Sequence, residues 1–291
     1  MHPAPSVILF TVLSGMGFGL LALLALGAAQ PLGLAALLHW GLGYGLAVGG
    51  LLASTFHLGN PQRALRAFTQ WRTSWLSREG WASVLTLFML APVALAAIMG
   101  AGLPSFFGAT GAAMALLTVY CTAMIYAQLK TVPRWNHWIT PVLFLLFALT
   151  GGAILTGRNG FGAIMALLLG AALFYSFRRG DGAFAERGAT IGSATGLGAL
   201  GEVRQFAPPH TGGNYLMNEM IFRVGRKHVR RLRIIAILGA SLLPAPILVF
   251  VPPLPWVMAV AAVIHLVGAF AARWLFFAEA EHVVGLYYDA H

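Results

Sequence analysis

The chain has 291 residues, 59% of them hydrophobic and 9% charged, with mean hydropathy +0.80 and formal net charge +10. A soluble globular protein carries about 25% charged residues, so the composition excludes a soluble enzyme and points to a polytopic membrane protein. The single cysteine, Cys121, excludes an internal disulfide, and an iron–sulfur cluster or zinc site built by this chain alone.

The N-terminal MHPAPSVILF has no basic stretch and no small-residue cleavage site before the first apolar run. It is read as the start of a retained helix and not as a signal peptide. Eight apolar runs follow, at about 6–28, 35–57, 80–101, 107–129, 138–156, 159–177, 233–251 and 254–277. A backbone crossing lipid must satisfy its own hydrogen bonds, so these runs predict an all-α bundle of eight transmembrane helices forming one membrane domain. Gly15 and Gly19 in the first run are four apart, as are Gly41, Gly45 and Gly49 in the second. That spacing marks faces where helices can approach closely, although 35 glycines also produce it by chance.

The connection between the second and third runs, HLGNPQRALRAFTQWRTSWLSRE at 57–79, carries the densest chemistry. Gly59, Asn60 and Pro61 stop a helix, which puts His57 in its last turn. Ser77 is the expected N-cap of the next helix, which puts Glu79 in its first turn. His57 and Glu79 then lie at similar depth at one membrane edge, with Arg63, Arg66, Arg72 and Arg78 beside them. A histidine and a membrane-edge carboxyl group can both deliver or take up protons, as reduction of a lipid-soluble quinone requires. On spacing alone a bland reading stands beside this one: Glu79 pairs with Arg78, His57 caps carbonyls, and Trp71 and Trp75 are interface anchors. Tyr126 and Lys130, at the same end of the fourth run, are further candidates for the pocket, with snorkelling as the plain alternative.

The 6–7 connection, about 178–232, is the only large segment outside the apolar runs. It is glycine-rich, lacks a core of its own and ends in the basic cluster RKHVRRLR at 226–233. It reads as a docking surface for a soluble partner, with its basic end near anionic headgroups, or else as a linker. His265, in the middle of the last run, is a functional candidate by position. A bis-histidine haem needs a second histidine at its depth. His39 and His57 lie at opposite membrane edges, so His265 is read as bonded to a neighbouring helix. The tail WLFFAEAEHVVGLYY at 274–288 is expected to continue the last helix into water, where Glu279, Glu281 and His282 contact a partner or reach back to the site.

All but two of the 18 Lys and Arg residues fall at the ends and connections on one side, the exceptions being Arg158 and Arg273. Basic residues are retained in the cytoplasm, so both termini and the 57–79 stretch are expected there, in a bacterial inner membrane. The charge is thus read as orientation and docking, with no nucleic-acid partner. A transporter or channel would show ionisable groups or broken helices at mid-membrane, and on the sequence only His265 qualifies. A purely structural tether is a further alternative.

HLGNPQRALRAF at 57–68, SWLSRE at 74–79 and FFAEAEHVVGLYY at 276–288 resemble the membrane-anchor subunits of the dimethyl sulfoxide reductase family, as do MHPAPSVILFT and MIYAQLKTVPRWNHW at 124–138. The resemblance implies an eight-helix anchor with neither haem nor iron–sulfur cluster. Partner subunits, one with molybdopterin and one with iron–sulfur clusters, would dock on it, and ubiquinone or menaquinone would exchange electrons there. It also implies that the residues tied to quinone binding are His57 and Glu79, with Arg63, Arg66, Trp75, Arg78, Tyr126 and Lys130 as the surrounding candidates. The long 6–7 connection, the tail and the inward docking face look more like the branch that anchors quinone-linked sulfite dehydrogenase. That branch passes electrons from cytoplasmic sulfite oxidation to quinone. The respiratory-reductase branch, which oxidises quinol, is the alternative.

Overall fold

The computed structural model describes all residues except 57–59, 102–103, 158, 208–211, 213–214, 222–227 and 289–291, and omits the side chains of Pro61 and Asn159. Eight helices are long and apolar enough to cross a membrane: α1 (Pro5–Ala25), α2 (Gly33–Thr55), α3 (Trp75–Ile98), α4 (Ser105–Ala127), α5 (Ile139–Thr156), α6 (Asn159–Arg187), α7 (Val229–Phe250) and α8 (Pro255–Ala278). No strand occurs among the described residues.

The bundle is built round α1, which packs on α2, α4, α5 and α8. Its apolar window is 78% buried, against 28% for α2 and for α3, so α1 is the post and those two lie at the outside of the bundle. Close approach depends on glycine. A Cβ on Gly19 would stand 1.9 Å from the Ala148 carbonyl oxygen of α5, and one on Gly17 would stand 2.3 Å from the Ala47 nitrogen of α2. On α2 the buried stripe is Ala36, Trp40, Gly43, Ala47 and Gly50. Close packing through small residues is therefore present, but mostly through other glycines than those expected. Gly15, Gly41, Gly45 and Gly49 would each meet nothing within 4 Å of an added Cβ. The four-residue spacing defines a face, but bulk elsewhere decides which face is turned inward. On α2 the exposed face carries Gly41, Gly45 and Gly49.

Several helix ends differ from expectation. α3 begins at Trp75, because Ser74 and not Ser77 is its N-cap: the Ser74 hydroxyl accepts from the Ser77 N–H at 3.4 Å. α6 continues to Arg187, about ten residues past its apolar run, because Asp181 in the extension finds two arginines. α7 contains a π-helical stretch, Leu238–Leu242, before Pro244. Pro244 has no N–H for the α-helical bond to the Ala240 carbonyl one turn back, and the His265 ring of α8 reaches that carbonyl, with Nδ1 2.9 Å from the Ala240 oxygen. The expectation that His265 bonds a neighbouring helix agrees with this contact.

The N-terminus and the segment just after α8 lie on one face, since the Met1 amino group donates to the Ala280 carbonyl at 2.8 Å. The tail does not continue α8. It turns back, with Val283 N–H bonded to the Thr131 carbonyl, and forms a 3-10 turn over Val283–Tyr288. The 6–7 connection lies against the same face: His2 N–H donates to the Glu219 carbonyl, and the Gln205 amide to the Tyr287 carbonyl.

Candidate functional site

The described part of the 2–3 connection is a 3-10 segment, Pro61–Phe68, followed by turns that return to α3. Three side chains of α3 hold it down. Ser77 donates to the Ala67 carbonyl, Trp81 Nε1 to the Phe68 carbonyl at 2.9 Å, and Arg78 to the Trp71 and Arg72 carbonyls at 3.0 and 2.6 Å. Gly80 leaves room for the Phe68 ring, 3.0 Å from where a Cβ would stand. Beneath this flap, between α3 and α4, a groove of about 810 Å³ opens sideways. Its walls include Trp71, Trp75, Arg78, Trp81, Leu117 and Cys121. Such a volume falls within the range of small-molecule sites, and a mostly apolar wall with few polar groups is their usual character. The Arg78 guanidinium lies over the Trp75 ring at 4.3 Å, which places a cation at an otherwise greasy wall.

Glu79 stands one step round α3 from Arg78 and points away from the groove's aromatic wall. It is 3% exposed. Its Oε1 accepts from the Thr122 hydroxyl of α4 at 2.6 Å. Among the described residues no basic side chain pairs with it, so the Glu79–Arg78 ion pair of the bland reading is not formed. Because α3 starts at Trp75, Glu79 also lies past the first turn, out of reach of the free N–H groups at the helix end.

Behind Thr122 lies a chamber of about 20 Å³, room for one or two waters. Thr11, Ser14, Thr122, His265 and Arg273 give it polar walls. The Arg273 side chain, read from sequence only as near the end of the last span, is buried with 5% exposure. Its guanidinium lies 3.7 Å from the centroid of the Phe144 ring.

The remaining candidates are distributed as follows. Trp75 and Arg78 wall the groove. Arg63 and Arg66 are exposed on the 3-10 segment. Lys130 is exposed just past α4. Tyr126 faces inward, in a cluster with Trp135, Phe144, Phe276 and Phe277, and is not brought to the groove. His57 lies outside the described residues. Sequence reasoning missed Thr122 and the burial of Arg273. A usable signal was present: Thr118 and Thr122 are four apart on α4, and both hydroxyls meet α3, Thr118 through Thr86 at 3.1 Å.

Glu279 was expected to contact a partner or reach back to the site, and it is turned inward. It and Asp181 are held by Arg134 and Arg233, with Arg134–Asp181 at 3.0 Å and Arg134–Glu279 at 3.3 Å. Arg233 bonds Glu279 through Nε at 2.8 Å and Asp181 through Nη1 at 2.8 Å. This neutral four-charge cluster ties α6, α7, α8 and the 4–5 connection together. Burial raises the Glu279 carboxyl above the ordinary range, and the two arginines pull the other way. Among the described residues no group of three or more His, Cys, Asp or Glu side chains is gathered as a metal site would require.

A protein-family profile described as "DMSO reductase anchor subunit (DmsC)" matches residues 1–159. A sulfite dehydrogenase subunit of Allochromatium vinosum is 29% identical over 337 aligned residues, covering 100% of this chain and 99% of that protein. No solved structure matches. With its eight apolar helices and a profile match over more than half its length, the chain belongs to the dimethyl sulfoxide reductase anchor-subunit family.

Proposed function

We propose that this chain is the membrane anchor and quinone-reactive subunit of a molybdenum/iron–sulfur oxidoreductase that passes electrons from cytoplasmic sulfite oxidation to quinone. One observation carries the reading. A groove walled by tryptophans lies beside a buried carboxyl group that bonds Thr122 and that, among the described residues, no cation neutralises. A quinone ring enters sideways from the bilayer and rests against Trp75 and Trp71. Arg78 polarises its carbonyl or a neighbouring phosphate, and Arg63 and Arg66 hold lipid headgroups at the rim. Two electrons arrive from the iron–sulfur partner, and two protons arrive through Glu79 and His57.

The balance closes on one side of the membrane. Sulfite and water yield sulfate, two electrons and two protons, and quinone takes up two electrons and two protons to become quinol. No charge need cross the bilayer. The face carrying the N-terminus, the segment just after α8, the 6–7 connection and nearly all the basic residues is taken as cytoplasmic and as the docking face for the iron–sulfur and molybdopterin subunits. The sulfite assignment draws on the full-length relative's name. The family description favours a second reading, in which the same groups take protons from quinol for a dimethyl sulfoxide-type reductase.

Glu79→Gln in the assembled complex tests the proposal. It keeps the shape and the Thr122 partner but cannot cycle a proton. Quinone-coupled turnover is expected to fall at least ~100-fold, the usual weight of a positioned acid–base group. Sulfite oxidation with an artificial dye and subunit assembly should stay intact. Wild-type quinone-coupled turnover in this variant would overturn the assignment.

A further inference from the structure

Glu79 is too buried to exchange protons with water directly, and the groove beside it is lined largely by apolar rings. Something must refill it after each proton is given up. Two small chambers lie behind it in series. The first, about 20 Å³, begins at the Thr122 hydroxyl that bonds Glu79 and reaches His265 and Arg273. The second, about 30 Å³, begins at Arg273 and reaches Arg134 and Glu279 of the four-charge cluster, whose Asp181 is exposed on the face with the N-terminus. Arg273 and Phe147 line both.

We infer that Arg273 and these two chambers form a water-filled proton path from the four-charge cluster, through Thr122, to Glu79.

The donor and acceptor pattern suits water. Thr11 and Ser14 spend their hydroxyl hydrogens on carbonyls of their own helix, Val7 at 2.9 Å and Phe10 at 2.6 Å, so they present lone pairs to the first chamber. Arg273 presents donors. Its face is against Phe144, and among the described residues no carboxylate or carbonyl takes its N–H groups. A guanidinium 5% exposed cannot be left bare. Each chamber exceeds the roughly 10–15 Å³ that one water needs. Water there satisfies Arg273 and joins the two chambers.

The transfer conserves protons. When Glu79 gives its proton to the reduced quinone oxygen, its carboxylate takes the Thr122 hydroxyl proton. Thr122 takes one from chamber water, and that water is refilled from the aqueous face. Two such cycles make one quinol. The Arg273 cation repels a free hydronium, so the path conducts only while Glu79 is anionic. Its far wall is His265, whose Nδ1 is held by the Ala240 carbonyl.

The inference rests on the proposed role of Glu79, and the test separates the two. Gly15 lines the first chamber, and a Cβ there would meet nothing within 4 Å, so Gly15→Val adds bulk at the chamber wall without loss of charge. In the assembled complex, Gly15→Val and Thr122→Val should each lower quinone-coupled kcat by about tenfold or more. KM for quinone and dye-linked activity should be unchanged, and the solvent deuterium isotope effect on kcat should rise. Arg273→Lys, which keeps a charged donor, should retain more turnover than Arg273→Met. Wild-type kcat and isotope effect in both Gly15→Val and Thr122→Val would overturn the path, even if Glu79→Gln is inactive. An active Glu79→Gln would instead remove the proposed function on which the path depends.

Discussion

Pro244 and His265 form a testable pair: one lacks the N–H that an α-helical bond to the Ala240 carbonyl would use, the other supplies a donor to it from the next helix. His265→Leu removes the ring nitrogen that bonds the Ala240 oxygen in the interior of the bundle. The lost bond and the poorer satisfaction of that carbonyl together cost about 1–3 kcal/mol. Measured interhelical bonds in membranes sit at the low end of that range, at about 0.6–1.7 kcal/mol. Pro244→Ala restores an N–H one turn beyond Ala240, so in that background His265→Leu should cost less than about 0.5 kcal/mol. The coupling between the two positions should therefore be about 0.5 kcal/mol or more. The assay is reversible unfolding of the purified chain in mixed micelles with rising SDS fraction, read by circular dichroism for the four proteins of the cycle. Additive effects, with His265→Leu equally costly in both backgrounds, would refute the assignment of His265 as the partner that Pro244 makes necessary.

Other consequences follow from packing and the tail. Gly19→Ala forces a methyl to within 1.9 Å of a backbone oxygen, so α1 and α5 must separate by more than an ångström. The expected loss is about 1–3 kcal/mol, while Gly15→Ala is neutral or slightly stabilising by the same unfolding measurement. His282 accepts from the Val284 N–H at 3.0 Å, and burial, then the charged N-terminus, holds its pKa below the ordinary histidine value. A lowered pKa means stability is full above the unfolded-state value and is lost as pH falls through the folded one. Hydrogen-exchange protection over Val283–Tyr288 should therefore fall on acidification below about pH 6.5 while that of α8 is unchanged. Equal protection at about pH 7.5 and about pH 5 would contradict this.

The eight spans were legible because lipid forces long apolar runs to be helices, and each observed helix overlaps its run. The ends were less so. Hydropathy stops where charge begins, but α6 continues past its apolar run because Arg134 and Arg233 compensate Asp181 from other segments. Likewise Ser74, not Ser77, caps α3, because the Ser77 hydroxyl is taken by the Ala67 carbonyl. Glu79 could be singled out from its setting between arginines and an apolar run. Its separation from Arg78 could not, since that depends on Arg78 reaching back to the carbonyls of Trp71 and Arg72. Arg273 was passed over because a lone arginine near a span's end usually snorkels; here Phe144 and Phe276 hold it inside.

The most direct measurement is density for a quinone bound to the assembled complex. The account predicts the ring beneath the Pro61–Phe68 flap, against Trp75 and within reach of Glu79. A headgroup lodged at the other end of the bundle, beside Trp40 and Gln30, would contradict it.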